Sequence, residues 1–269
     1  MADLRSAIRR GHYARKQLFS RDRLIAWSHS RRFDTALRLA REFAGKRVLD
    51  YGCGDGTFLA LTMMTPEAPA LAVGAELTRE AVDDCRLRYR SEPRLQFAQV
   101  TDLGGIDHLG RYDGVFCMEV LEHVVGWEPV LERFRQLLAP GGTLIISVPV
   151  ETGLPLMVKQ SVRRVAAWRK IGHYPGTSPY SLVELARSVF AGGSQHLRRP
   201  IFDNQSGPFH DHKGFNWMVL KKRLQRDYVI ERVLASPFSW LGPYLATQAW
   251  FIARLPGAVE TGSGGQARP

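Results

Sequence analysis

Cysteine is scarce in this sequence: 269 residues hold three, Cys53, Cys85 and Cys117, with neither a CxxC pair nor a Cys/His finger among them. An odd, scattered set excludes a disulfide-stapled scaffold and predicts free thiols in a reducing compartment. Acid is in deficit as well. The 26 Asp+Glu face 37 Lys+Arg, and the +11 surplus suits an anionic partner such as a phosphate backbone or an acidic membrane face. The opening residues, "MADLRSAIRRGHYARK", lack the apolar core of a signal peptide, so a cytoplasmic protein is expected. The one long uncharged run, Val233 to Ala253, is broken by Pro237, Gly242 and Pro243 and fits two strands and a turn better than a membrane span. No internal repeat and no RRM, KH or zinc-knuckle pattern is present.

What is there has the composition of an ordinary globular protein, with 45% hydrophobic and 10% aromatic residues. Residues 1–45 are rich in Arg, and Leu24, Trp27, Phe33, Leu37 and Phe43 recur at helical spacing, which predicts a helical cap. Strand and helix signals then alternate from "RVLDYG" to "GTLIISVP", and such β–α units imply a doubly wound, mostly parallel α/β sheet covered on both faces. After Pro149 the rhythm breaks. A cationic amphipathic helix through "PLMVKQSVRRVAAWRK" is expected to set Leu156, Val158, Val162, Val165 and Trp168 against Lys159, Arg163, Arg164 and Arg169. A second helix, an irregular loop "RRPIFDNQSGPFHDHKG", a third helix and a closing antiparallel pair of strands follow. The predicted organisation is a cap over 1–45, a main domain over 46–255 with a helical insert at 150–225, and a disordered Gly/Ser tail at 256–269.

The stretch "VLDYGCGDGTF" runs a buried strand into a glycine cluster. Gly52, Gly54 and Gly56 are spaced GxGxG and miss the GxGxxG dinucleotide fingerprint, and Asp50 at the strand end favours a cationic or donor-rich ligand over a pyrophosphate. The stretch resembles the cofactor loop of class I S-adenosylmethionine-dependent methyltransferases, and matching elements continue to about residue 150. The resemblance implies a Rossmann-like seven-stranded fold and S-adenosylmethionine as cofactor. It places the methionyl part of the cofactor against Asp50, Gly52, Cys53, Gly54 and Gly56, with Met118 nearby, and the ribose hydroxyls on Glu76 of "VGAELT". The adenine amino group falls to Asp102 of "QVTDL", and the adenine ring lies between Leu77 and Leu103.

In "CMEVLEHV", Glu119, Glu122 and His123 stand at i, i+3 and i+4, so one helical turn would gather them on one face. Two carboxylates and an imidazole suit Mg²⁺, Mn²⁺ or Zn²⁺, and equally a metal-free pocket in which histidine orients or deprotonates an acceptor. "FHDHKGFNW" is similar to a His-Asp-His-Lys element of the small-RNA ribose 2′-O-methyltransferases, which implies that His212 joins Glu119, Glu122 and His123 around Mg²⁺; Gly214 and Asn216 depart from that pattern. The Met-Glu-x-Leu-Glu-His motif also resembles the ubiquinone-biosynthesis O-methyltransferases. Candidate catalytic residues are therefore His123, His212 and Glu119.

Residues 1–45 and 150–225 are expected to read the acceptor. The favoured reading is O-methylation of a small, lipophilic or glycosylated acceptor, with peripheral contact to the anionic inner face of a membrane. The alternatives are a metal-dependent RNA ribose 2′-O-methyltransferase and a non-catalytic cofactor-binding protein.

Overall fold

The computed structural model describes residues 2–20, 23–168, 178–204 and 207–256. The chain opens with three helices, α1 (Ala2–Arg10), α2 (His12–Gln17) and α3 (Arg23–Ala40). The alternating region follows as β1 (Arg47–Tyr51), α4 (Thr57–Met63), β2 (Leu71–Glu76), α5 (Arg79–Arg88), β3 (Leu95–Gln99), β4 (Tyr112–Met118), α6 (Glu128–Leu137) and β5 (Leu138–Pro149). After β5 come α7 (Gly153–Trp168), α8 (Leu182–Val189), a hairpin of β6 (Ile201–Asn204) and β7 (Gly207–His210), α9 (Trp217–Asp227), β8 (Val229–Ser236) and β9 (Gln248–Arg254).

Seven strands form one sheet in the order β3-β2-β1-β4-β5-β9-β8. The first five pair in parallel, and β9 alone runs against its neighbours β5 and β8. The order reverses between β1 and β4, and a doubly wound sheet opens its ligand crevice at such a switch, on the carboxyl edge. Strand periodicity divides the core in two. Leu49, Val115, Cys117, Leu144 and Ile146 face α6 and α9, while Val48, Phe116 and Ile145 face the helices α1 to α5.

Three expectations about the chain after Pro149 change. The segment 198–214 is not an irregular loop throughout, since Ile201 pairs with His210 and Asn204 with Gly207 in the β6–β7 hairpin. Pro200 and Pro208 hid that hairpin from a sequence reading, because proline is confined to strand starts and edges. Trp217, Leu220 and Leu224 of α9 bury against the sheet, so this helix covers the core rather than extending the insert. In α7, Leu156 is buried and Lys159 turns inward to Glu151 at 2.8 Å, leaving Leu154, Met157, Val158 and Val162 on the exposed side. Leu156 therefore parts from Val158 and Val162, so the single apolar face expected of this helix is split, with most of its apolar line turned outward. The side chains of Arg164, Val165 and Trp168, with Arg169, and nearly all of the tail at 257–269 lie outside the described residues.

Candidate functional site

The turn after β1 answers why glycine is required there. Gly52 has φ +77°, and a Cβ on it would lie 2.4 Å from Val120 Cγ2. Gly54 has φ +57° and nothing within 4 Å of where its Cβ would be, so its outer side is open to a ligand that needs the bare main chain. The two flanking acids have separate duties. Asp55 is structural: its Oδ1 accepts from the Thr57 amide at 3.2 Å, its Oδ2 from the Ala14 amide at 3.0 Å, and Arg88 approaches to 4.0 Å. It holds the first amide of α4 and fastens the N-terminal helices onto the loop. Asp50 is buried, and its Oδ1 has no hydrogen-bond partner among the described residues. Burial, then the nearby Glu76 charge, pushes its carboxyl up to about 8.

A cavity of about 120 Å³ opens between this loop and the cap, lined by Asp50, Gly52, Cys53, Gly54 and Met118 on one side and Tyr13, Arg32 and Phe33 on the other. The cap thus closes the end of the crevice that the glycine loop begins. Arg32 is the residue that sequence reasoning missed. Its guanidinium lies over the Tyr13 ring at 5.7 Å and the Phe33 ring at 5.9 Å, and its Nη1 sits 3.6 Å from Glu119 Oε2. Desolvation lowers its pKa, with Glu119 and Glu122 opposing. Only its place among the other arginines of α3 was visible in the sequence, and nothing local set it apart.

Glu76 stands at the carboxyl end of β2, where its Oε2 accepts from the Gly54 amide at 2.9 Å and its Oε1 from the Leu77 amide at 2.8 Å. Each carboxylate oxygen keeps acceptor capacity for a diol. Asp102 lies in the turn after β3, its Oδ2 accepting from the Gln99 amide at 3.3 Å. Leu77 is exposed beside this rim. Leu103 is not. It is fully buried in the core between the sheet and α6, so it offers no face to a ring, and the expectation that it flanks adenine fails on packing.

Beyond β4 the predicted helical turn is absent. Glu119 has φ +56°, a left-handed conformation that side chains rarely adopt, and the residues after it form a tight turn ending at Val124, which bridges to Phe209 of β7. Glu119 therefore parts from the other two: its Oε1 accepts from the Ser147 hydroxyl at 3.3 Å and its Oε2 faces Arg32. Glu122, His123 and His212 do come together, with one potential ligand atom each, all within 4.8 Å of one another. His123 and His212 face each other through Nε2 at 3.3 Å. His123 Nδ1 donates to the His210 carbonyl at 2.9 Å, which in the neutral ring leaves Nε2 a bare lone pair, and His212 Nδ1 turns towards Glu151 Oε1 at 4.0 Å.

This cluster has the properties of a cation site. Glu122 is completely buried, and neither carboxylate oxygen has a hydrogen-bond partner among the described residues. Desolvation, then the Glu119 charge, raises its pKa well above the usual range, while burial first and His123 second lower His212 to about 4. Two imidazoles and an unpartnered carboxylate suit a divalent ion, which would take up the His123 Nε2 lone pair. Arg199 braces the site from the loop before β6, donating to the Glu122 and Asp211 carbonyls. The cavity side fits the other expected ligand equally well: an unpartnered acid, a buried guanidinium and an open glycine are what an amino-acid end requires.

Comparison with known proteins bears on the family and the fold. The ubiquinone biosynthesis O-methyltransferase of Aromatoleum aromaticum is 35% identical over 106 residues, which is 39% of this chain and 44% of that protein. The enzyme of the same name from Escherichia coli O7:K1 is 36% identical over 105 residues, 38% of this chain and 42% of its own length. The chain thus matches less than half the length of these relatives. Among solved structures, an S-adenosylmethionine dependent methyltransferase from Mesorhizobium loti superposes with a TM-score of 0.51 at 17% identity, over 82% of this chain and 96% of its own. The N-methyltransferase NodS of Bradyrhizobium japonicum WM9, in complex with S-adenosyl-L-homocysteine, gives 0.51 at 14% identity over 95% and 97%. The family model described as a methyltransferase domain matches residues 19–189, more than half of the sequence. The chain belongs to the methyltransferase domain family and has the fold of the class I S-adenosylmethionine-dependent methyltransferases.

Proposed function

We propose that this protein transfers the methyl group of S-adenosylmethionine to an oxygen of a small, lipophilic or glycosylated acceptor. The observation that carries this reading is the orphaned, fully buried Glu122 meeting His123 and His212 beside the cofactor cavity. Arg32 joins the two places, since it lines the cavity and feels the charges of both Glu119 and Glu122. In this assignment Asp50 receives the ammonium and Arg32 the carboxylate of the methionyl end, with the main chain of Gly52 to Gly54 against it. Glu76 receives the ribose hydroxyls, Leu77 lies against adenine, and Asp102 accepts from its amino group.

A sulfonium methyl is already electrophilic, so the protein's work is alignment and removal of a proton from the acceptor. His123 or His212 accepts that proton through Nε2. A divalent ion held by Glu122, His123 and His212 would supply further acidification of the acceptor hydroxyl. The names of the curated relatives support oxygen as the acceptor atom, and the outward apolar line of α7 supports a lipophilic acceptor arriving from a membrane surface.

Incubating the protein and deuteromethyl-labelled cofactor with a lipid extract and a polar extract, then following the label by mass spectrometry, tests this reading. A labelled methyl ether in the lipid fraction supports it, and label confined to nitrogen or carbon sinks it. A second reading, ribose 2′-O-methylation of RNA, is favoured by the arrival of His212 on the His-Asp-His-Lys loop. Its signature is acceptor binding that weakens log-linearly with salt.

A further inference from the structure

We propose that the outer face of α3 and the β8–β9 loop form a docking surface for an anionic phospholipid bilayer, distinct from the α7 line. Trp27, Phe238 and Trp240 make an aromatic cluster there. The Trp27 and Phe238 rings are 5.6 Å apart, Phe238 and Trp240 6.3 Å, and Trp240 is 80% exposed. Leu245, half exposed, lies farther along the same loop, whose Tyr244 turns instead to Trp217 at 5.1 Å. A stabilising role does not explain an indole left this bare, because its apolar area remains in water.

Directly behind the cluster runs a groove of about 390 Å³ between α3 and the loop, walled by Arg31, Arg38 and Arg41 with Pro237 and Ser239 opposite. Among the described residues Asp34 is the acid on its wall, 3.5 Å from Arg31, and Glu67 approaches Arg41 to 3.9 Å, which leaves the charge of Arg38 over. The groove therefore keeps a cationic excess suited to phosphate. At a rise of 1.5 Å per residue, Arg31 sits about 6 Å from Trp27 along α3, within the thickness of one headgroup layer, and Arg38 about 16 Å from it, beyond that layer. Aromatic rings at the boundary, with Arg31 one step back at the level of the headgroup phosphates and Arg38 farther out in the field of the anionic surface, match the layering of a bilayer interface.

The surface also points the right way. The loop joins the end of β8 to the start of β9, and Gln248 pairs with Pro149 at the carboxyl end of β5, so the aromatic cluster rises from the same edge of the sheet as the cofactor crevice. Docking would present the acceptor entrance to the membrane. Other occupants suit the features less well. Free phosphate would fill the groove and leave the rings wet, a second copy would bring two arginine walls together, and an RNA base would find rings tilted by 49° and 60° rather than a parallel stacking face.

Flotation of the whole protein with vesicles of phosphatidylcholine alone, and of phosphatidylcholine with phosphatidylglycerol, tests the proposal without reference to methyl transfer. The expected result is partition onto the anionic vesicles that falls with salt, with indole fluorescence quenched by brominated acyl chains. Phe238→Ala with Trp240→Ala should weaken partition at least about ten-fold, and Arg31→Ala with Arg38→Ala should erase the preference for anionic lipid. S-adenosyl-L-homocysteine affinity in these variants should stay that of the wild type, which separates this proposal from the cofactor reading. The proposal is overturned if the aromatic pair leaves vesicle binding unchanged while Met157→Asp in α7 abolishes it. It is equally overturned if those substitutions instead dissolve a dimer or abolish binding of a single-stranded oligonucleotide, or if inorganic phosphate binds the groove while vesicles do not.

Discussion

Arg32 Nη1 lies 3.6 Å from Glu119 Oε2, and both side chains are largely withdrawn from solvent. The contact ties the wall of the cofactor cavity to the first acid of the Met-Glu-x-Leu-Glu-His motif. The other arm, Nη2, donates to Gln17 Oε1 at 3.2 Å, a neutral partner that a bidentate carboxylate would displace.

Arg32→Met should therefore weaken S-adenosyl-L-homocysteine binding by about ten- to a hundred-fold, the loss expected for a charge-assisted pair. Titration calorimetry reads the affinity and a thermal melt reads the fold. Equal cofactor affinity in the folded variant would remove Arg32 from the cofactor site and leave it as a packing residue of the cap.

Glu76→Ala should cost about 1–3 kcal/mol of cofactor affinity, because the diol would lose a charged acceptor. Glu76 also holds the Gly54 amide at 2.9 Å, so the alanine variant loosens the loop as well. Glu76→Gln keeps one carbonyl acceptor and is expected to fall between the two. A glutamine variant indistinguishable from wild type would mean that the carboxylate's charge plays no part in holding the ribose.

Asp50 gives a pH dependence whose sign can be worked out. Burial and the Glu76 charge raise its folded carboxyl to about 8 from an ordinary 3.8. Between those values the folded protein holds a proton that the unfolded chain has lost. The free protein should thus become less stable as pH rises through that window, and Asp50→Asn should flatten the slope. An ammonium placed against Asp50 favours the ionised form, so cofactor binding near pH 7 should release a proton. Calorimetry in buffers of different ionisation enthalpy counts it, and a release of zero would refute contact between Asp50 and the ammonium.

The legible parts of this fold and site were local. Period-two apolar strands, the GxGxG turn and acids at successive strand ends sit within a few residues of the backbone they define, so the alternating β–α units and the doubly wound, mostly parallel sheet could be anticipated. The failures were tertiary. Glu119 looked helical because its spacing to Glu122 and His123 is helical, yet the turn leaves β4 through a left-handed residue that no propensity favours. Arg32 reaches the site from the cap, 18 residues before Asp50. In α7, Lys159 turns inward to the buried Glu151 and to the Val150 and Thr247 carbonyls, partners that helical spacing does not announce.

The departure of Glu119 from the cluster makes a specific demand on metal binding. If Glu122, His123 and His212 are the ligands, titration with Mn²⁺ followed by loss of the free-ion electron paramagnetic resonance signal should show one site per chain. Glu122→Gln and His212→Ala should each weaken that site at least about ten-fold, the usual cost of removing a ligand or its support. Glu119→Gln should retain it, since Glu119 is engaged by Arg32 and Ser147. A Glu119 variant that loses the ion as fully as the Glu122 variant would mean that the carboxylate leaves Arg32 to complete the site. If no Mn²⁺ is taken up, and turnover survives EDTA and Glu122→Gln, the cluster is a proton-transfer pocket in which the two histidines act without an ion.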